Sequence, residues 1–248
     1  MKLQKLLSYV RRAVDDYSMI EEGDKIAVGI SGGKDSICLL VALKHLQRFY
    51  PKRFELEAIT VSLGLPGASY DGIQALCNEL GVHYTVVETD IGKIIFDERK
   101  EKNPCSLCAK LRKGALNQKI KELGCNKVAY AHHMDDMIET MVLSMIFEGR
   151  FYSFSPVTFL DRMELTVIRP MMYVSEAEVK GFRNKYKPPV EENPCPVDGV
   201  TKRQYAKDLV RQINLDHPSA KKRMFTAILD GNIPGWPEKT EHERKGHQ

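Results

Sequence analysis

The stretch from Lys25 to Leu40 constrains the chain most. Lys25-Ile-Ala-Val-Gly-Ile30 reads as a buried strand, Ser31-Gly-Gly-Lys-Asp-Ser36 as a glycine turn, and the apolar Ile37-Cys-Leu-Leu40 as the start of a helix. Adjacent glycines let the backbone close around an oxyanion. Ser31 and Ser36 add hydroxyl donors, and the helix start aims its unpaired N–H groups at the same place. The stretch predicts a phosphate cradle; the plainer alternative is a glycine-rich strand-to-helix turn with no ligand.

The chain around it alternates. Leu3, Leu6, Leu7, Val10, Ala13, Val14 and Tyr17 recur at helical spacing and predict an amphipathic helix over 2–19. After the cradle a helix runs to about Phe49, followed by a strand over 56–62, a helix over 70–80 closed by Gly81 and a strand over 82–87. A helix over 106–123 closed by Gly124 and a strand over 127–131 come next, and helical periodicity resumes from Ile138. Such alternation implies an α/β fold with a doubly wound parallel sheet, whose ligands sit beyond the carboxyl ends of the strands. The expected organisation is an N-terminal helix (1–22), the sheet domain (23–172), a mostly helical basic lobe (173–232) and a mobile tail (233–248).

No apolar run approaches the ~20 residues that span a bilayer, and the N-terminus carries no cleavage site, so the expected location is cytoplasmic. The net charge of +4 is small but uneven: between Val179 and Arg223 stand eleven Lys/Arg against five acids. That excess marks either a solvated face or a surface for a polyanion.

Two further motifs carry chemistry. The strand over 127–131 ends in His132-His-Met-Asp-Asp136 at a helix start. Asp135 and Asp136 there can complement the helix dipole alone, or hold magnesium together with Asp35 and phosphate oxygens. His132 and His133 are equally consistent with core or capping roles. The second motif is Asn103-Pro-Cys105-Ser-Leu-Cys108-Ala-Lys-Leu-Arg112, two thiols one helical turn apart, echoed by Asn193-Pro-Cys195-Pro. Cys38, Cys77 and Cys125 lie in contexts of packed or surface thiols. Structural zinc wants four closed ligands, and three cysteines leave a position open. Zinc, a chance arrangement and an iron–sulfur cluster with one iron free of protein ligand all remain.

The cradle lacks both the P-loop spacing and the dinucleotide fingerprint Gly-x-Gly-x-x-Gly. It resembles instead the PP-loop, Ser-Gly-Gly-x-Asp-Ser, of the ATP pyrophosphatases, which cleave ATP to AMP and pyrophosphate. The His132–Asp136 segment resembles the Gly-His-x-x-Asp-Asp element of that superfamily, with Ala131 where glycine is usual. Cradle, Cys-x-x-Cys-x-x-x-Arg, His-His-x-Asp-Asp, Ile168-Arg-Pro170 and a late Pro-Cys, in this order, look like the tRNA 2-thiocytidine synthetase family. The chain departs from it where Ser62-Leu-Gly-Leu-Pro66 carries no acid after the second strand.

This resemblance implies a [4Fe-4S] cluster on Cys105, Cys108 and Cys195, with ATP and Mg2+ as further requirements. It also implies a tRNA substrate, a sulfur donor of unspecified identity, a homodimer and no membrane partner. ATP would be held by Gly29, Ile30, Ser31, Gly32, Gly33, Lys34, Asp35, Ser36, Val61, Ala131, His132 and Asp136. Magnesium would sit on Asp35, Asp135 and Asp136. Lys34, Asp35 and Arg112 would act in catalysis, although Arg112 read alone is equally a solvated helix arginine. Lys202, Arg203, Lys207 and Arg211, on the helix after Gly199, are expected to meet tRNA phosphates. Two alternatives stand beside it: an adenylating ligase of lysidine-synthetase or small-molecule type with zinc or no metal, and a non-catalytic nucleotide-binding or metal-sensing regulator.

Overall fold

A computed structural model describes residues 1–98, 104–191 and 202–240. Six strands form one sheet in the order β3-β2-β1-β4-β6-β5: β1 Asp24–Gly29, β2 Phe54–Val61, β3 His83–Val87, β4 Lys127–Ala129, β5 Val157–Leu160 and β6 Leu165–Ile168. All pairings are parallel except β5 with β6. This antiparallel edge hairpin is absent from the sequence reading. Its strands are four residues each, and its turn has Glu164 at φ +50° where a glycine would have signalled it.

The sheet is buried on both faces, and the side-chain alternation of its strands sorts residues between two cores. Ile26, Val28, Leu56, Ala58 and Ala129 pack with α1 (Leu3–Asp16), α2 (Lys34–Leu46) and α6 (Met134–Glu148). Ala27, Ile59, Val61, Val128 and Val167 pack on the other side with α5 (Pro104–Glu122) and the short α4 (Ile91–Lys93) with the π-turn that continues it. Helix α3 (Asp71–Leu80) ends at Gly81 in the left-handed conformation, φ +62°.

The C-terminal helices share a core with the sheet domain. Val179 and Phe182 of α7 (Glu176–Tyr186), Ala206 and Val210 of α8 (Lys202–Asp216), and Phe225 and Ile228 of α9 (Ala220–Asp230) join the core that holds α1 and α2. The tail expected to be mobile is also tied down at its described start. Ile233 is buried, the Trp236 indole donates to the Ser153 carbonyl at 3.1 Å, and the Thr240 N–H donates to the Asp16 carbonyl at 2.7 Å.

From β1 the sheet grows one way through β2 and β3 and the other way through β4 and β6. The order therefore reverses between β1 and β4, and a crevice opens at their carboxyl ends. The cradle after β1 and the histidine–aspartate segment after β4 both emerge there. The opposite end is stapled by Lys127, whose ammonium reaches Asp24 Oδ2 at 2.7 Å and the Met19 carbonyl at 3.0 Å, so β1 and β4 hold their relative register.

Candidate active site

The cradle is folded by its own hydroxyls before any ligand enters. Ser36 Oγ accepts from the Ser31 N–H at 3.1 Å and donates to the Gly33 carbonyl at 3.0 Å, while Ser31 Oγ accepts from the Gly33 N–H at 3.3 Å. Gly32 sits at φ +83°, a conformation that side chains resist, so this glycine is required. Its carbonyl accepts from the Glu191 N–H at 3.1 Å, laying the Pro188–Glu191 segment across the loop. Lys34 and Asp35 open α2 and pair at 2.9 Å. Asp35 Oδ1 is buried without a hydrogen-bond partner among the described residues, 3.8 Å from His133 Nε2. A carboxylate oxygen orphaned beside a phosphate cradle fits a magnesium ion.

His133 caps α6: its Nδ1 accepts from the Asp136 N–H, and Asp136 Oδ2 accepts from the His133 N–H at 2.9 Å. One imidazole therefore stands between the carboxylates of Asp35 and Asp136. Asp135 does not join them. It is buried, accepts the Glu176 N–H at 2.7 Å and pairs with Lys221 at 2.7 Å, so it anchors the starts of α7 and α9.

His132 lies at the mouth of the crevice, edge-on to Tyr130 with ring centroids 5.8 Å apart and 4.5 Å from the Phe154 ring. Its Nδ1 is buried with no partner. Burial first, then the cation of Arg169, push the imidazole down to about 4, against Asp136, which pulls it up; Arg203 and His133 add to the fall. The folded state thus prefers neutral His132, a stability contribution present in full above the unfolded value near 6.5 and lost as pH falls towards 4. His132→Asn should flatten the loss of unfolding free energy in that window by up to ~1.4 kcal/mol per pH unit, measured by urea titration at several pH values. An unchanged slope would contradict the assignment. Arg169 was visible in the sequence only as part of Ile168-Arg-Pro170. Its Nε is likewise buried with no hydrogen-bond partner among the described residues.

Two cavities flank the cradle. One, about 410 Å³, is lined by Gly29, Ile30, Val61, Tyr130, His132 and, from α5, Ala109 and Arg112. The other, about 210 Å³, is lined by Ser31, Gly33, Val61, Tyr70, Arg112 and Glu191. Arg112, half-buried, borders both. Ala131 lies at the same strand end, beside His132.

Cys105 and Cys108 occupy the first turn of α5, exposed and half-buried respectively. Arg112 follows Cys108 by one turn on the same face. Cys195 lies outside the described residues, four positions beyond Glu191, a reach of at most about 14 Å. The other thiols do not compete: burial pushes Cys38 up to about 12 and Cys77 and Cys125 up to about 11, and all three pack into cores. Thiolates are what iron takes, and accessible thiols at a helix N-terminus supply them, so the donor set fits a cluster.

The cations of α8 do not line up on one solvated face. Lys202 lies over the Phe147 ring at 4.7 Å and Arg211 is exposed. Arg203 and Lys207 turn instead towards the acids at the starts of α6 and α7.

A parallel sheet with a Ser-Gly-Gly-Lys-Asp-Ser cradle at its switch point defines a PP-loop protein, and a model of the PP-loop domain matches residues 4–212. The tRNA-cytidine(32) 2-sulfurtransferase of Geobacter sulfurreducens is 38% identical over 236 residues, 94% of this chain and 91% of its own. That of Pelobacter propionicus is 39% identical, covering 91% and 85%. The chain belongs to this family of PP-loop proteins. Among solved structures, the U34-tRNA thiolase NcsA of Methanococcus maripaludis with its [4Fe-4S] cluster shares the fold at a TM-score of 0.74 and 24% identity, over 91% of this chain and 77% of that one.

Proposed function

We propose that the chain replaces the C2 carbonyl oxygen of a tRNA cytidine, position 32 as in its relatives, by sulfur at the expense of ATP. The observation that carries the reading is one cavity: the 410 Å³ space is bounded by the cradle on one side and, through Ala109 and Arg112, by the turn of α5 that directly follows Cys108 on the other. Activation and sulfur delivery thereby share a compartment.

An amide-like carbonyl oxygen is a poor leaving group. Its attack on the α-phosphorus of ATP expels pyrophosphate and leaves the base adenylated at that oxygen; sulfide then adds at C2, and AMP departs with the oxygen. The chain's own groups serve these steps in place. Gly32, Gly33, Ser31 and the first N–H groups of α2 hold phosphate oxygens. Gly29, Ile30 and Val61 offer apolar and backbone contacts to adenine, with Ala131 and neutral His132 closing the far wall. Asp35 and Asp136, one on each side of His133, hold magnesium. Arg112 neutralises charge on the phosphate between the two cavities. A [4Fe-4S] cluster on Cys105, Cys108 and Cys195 supplies, when bound, an iron without a protein ligand at which sulfide can be held.

The reading carries with it a cytoplasmic location, a homodimer and an external sulfur donor. No helix among the described residues is long and apolar enough to cross a membrane. Exposed Lys202 and Arg211 are the α8 residues proposed to meet the tRNA backbone. Pyrophosphate release from ATP, followed with bulk tRNA, magnesium and sulfide under anaerobic conditions, tests the reading. Release that depends on tRNA is expected. Release that is equal without tRNA would place the chain among small-molecule adenylating ligases, and no release would leave a nucleotide-binding regulator.

A further inference from the structure

Helix α8 was expected to present its cations to RNA, yet two of them reach acids of α6 and α7 beside the cradle. Arg203 Nη2 donates to Asp136 Oδ1 at 2.8 Å, and its Nε lies 3.4 Å from Glu139 Oε2, a buried carboxylate. One turn on, Lys207 Nζ lies 2.8 Å from Glu176 Oε1. That single oxygen also faces Lys180 at 3.2 Å and the cradle's own Lys34 at 3.8 Å. Burial alone would raise the Glu176 carboxyl, but the hydrogen bonds and charges of Lys207 and Lys180 outweigh it and hold the group at about 2. Three ammonium groups thus face one carboxylate oxygen. One of the three, Lys34, is the first residue of α2, the helix that leaves the cradle, and pairs more closely with Asp35.

Apolar packing fixes this arrangement. Ala206 and Val210, on the same helix, are buried against the body of the protein, so Arg203 and Lys207 are delivered to this side of the molecule by a packed helix and not by a mobile arm. Asp136 Oδ1 is the oxygen that Arg203 occupies, and it is one of the two proposed to receive magnesium. When magnesium claims it, the guanidinium is released within reach of whatever anion the metal brings.

We propose that Arg203 and Lys207 bind the β- and γ-phosphates of ATP, and the pyrophosphate that leaves, making α8 the outer wall of the phosphate site. The inference rests on the reading of the cradle as an ATP site and adds to it two residues from outside the PP-loop. Arg203 offers planar paired donors to phosphate oxygens, and Lys207 a point charge beside Lys34. In the absence of nucleotide their partners are Asp136, Glu139 and Glu176, so the site is charge-paired before ligand arrives.

The test is calorimetric binding of three probes with magnesium present: a non-hydrolysable ATP analogue, inorganic pyrophosphate and AMP. They are applied to the full chain and to Arg203→Gln, Lys207→Gln and the double variant. The proposal expects at least a tenfold weakening of the analogue and of pyrophosphate in the double variant, with AMP affinity unchanged because AMP lacks the two outer phosphates. Arg203→Lys should recover part of the loss. Lys222→Gln, on the exposed face of α9, should leave all three probes unaffected. A counter-ion role alone predicts the reverse, since freed carboxylates would take magnesium more readily and tighten the analogue. Unchanged or tighter pyrophosphate binding overturns the proposal, and so does an equal loss for AMP, which reports a collapsed site. A wild-type chain that binds neither the analogue nor AMP removes the cradle reading itself, and the inference with it.

Discussion

Asp35→Ala should abolish tRNA-dependent pyrophosphate release, lowering it by roughly 10²–10³-fold or more, while the fold and the iron content stay as they were. The carboxylate has two oxygens in different situations. Oδ2 is held by Lys34 at 2.9 Å, which fixes the side chain's direction, and Oδ1 is buried and unpartnered beside the cradle. An acid in the first turn of a helix contributes about 0.3–1 kcal/mol through the helix dipole, so its removal costs little stability. Loss of a metal ligand at the phosphates costs several kcal/mol of transition-state stabilisation. The two effects differ enough to be separated by one variant. Circular dichroism and iron analysis should match wild type while turnover is lost; unchanged turnover would sink the cradle assignment.

The second large effect concerns the cysteines. Cys105→Ser, Cys108→Ser and Cys195→Ser should each lose the cluster on anaerobic reconstitution, because two remaining thiolates hold a four-iron cube poorly. Cys77→Ser and Cys125→Ser should retain it. Their thiols are buried and pushed up to about 11, and they pack into separate cores, Cys77 within α3 and Cys125 just before β4, at the amino end of the strand and away from the crevice. For Cys195 the argument is the path of the chain. Glu191, four residues before Cys195, is hydrogen-bonded to Gly32 and lines the same cavity as Arg112. Iron counted per chain, with the visible absorbance recorded, decides it. Full iron in Cys195→Ser would remove that residue and revive a zinc or empty pair at Cys105 and Cys108.

The strands that build the crevice were legible because their signals are local: apolar runs, closing glycines at 81 and 124, and a cradle with a required left-handed glycine. The cavity walls were not. Arg169 comes to His132 from the neighbouring strand, through a relation between β4 and β6 that no local pattern encodes. Asp135 could have been set apart from Asp136 by geometry alone, since successive helical residues point about 100° apart and two such carboxylates do not share one metal easily. The α8 cations show the opposite limit. The i, i+4 spacing of Arg203 and Lys207 reveals that they share a face, but not that Ala206 and Val210 press that helix onto the core and turn the face towards the cradle. The basic excess between Val179 and Arg223 is therefore divided between internal acids and solvent, which composition cannot apportion.

The measurement that bears most directly on the central claim is nucleoside mass spectrometry of tRNA after incubation with cluster-loaded protein, magnesium, sulfide and ATP. The account predicts 2-thiocytidine at position 32, with no product when ATP is omitted or when Asp35→Ala replaces wild type. An unmodified cytidine 32 alongside tRNA-dependent pyrophosphate release, or sulfur insertion that proceeds without ATP, would contradict it.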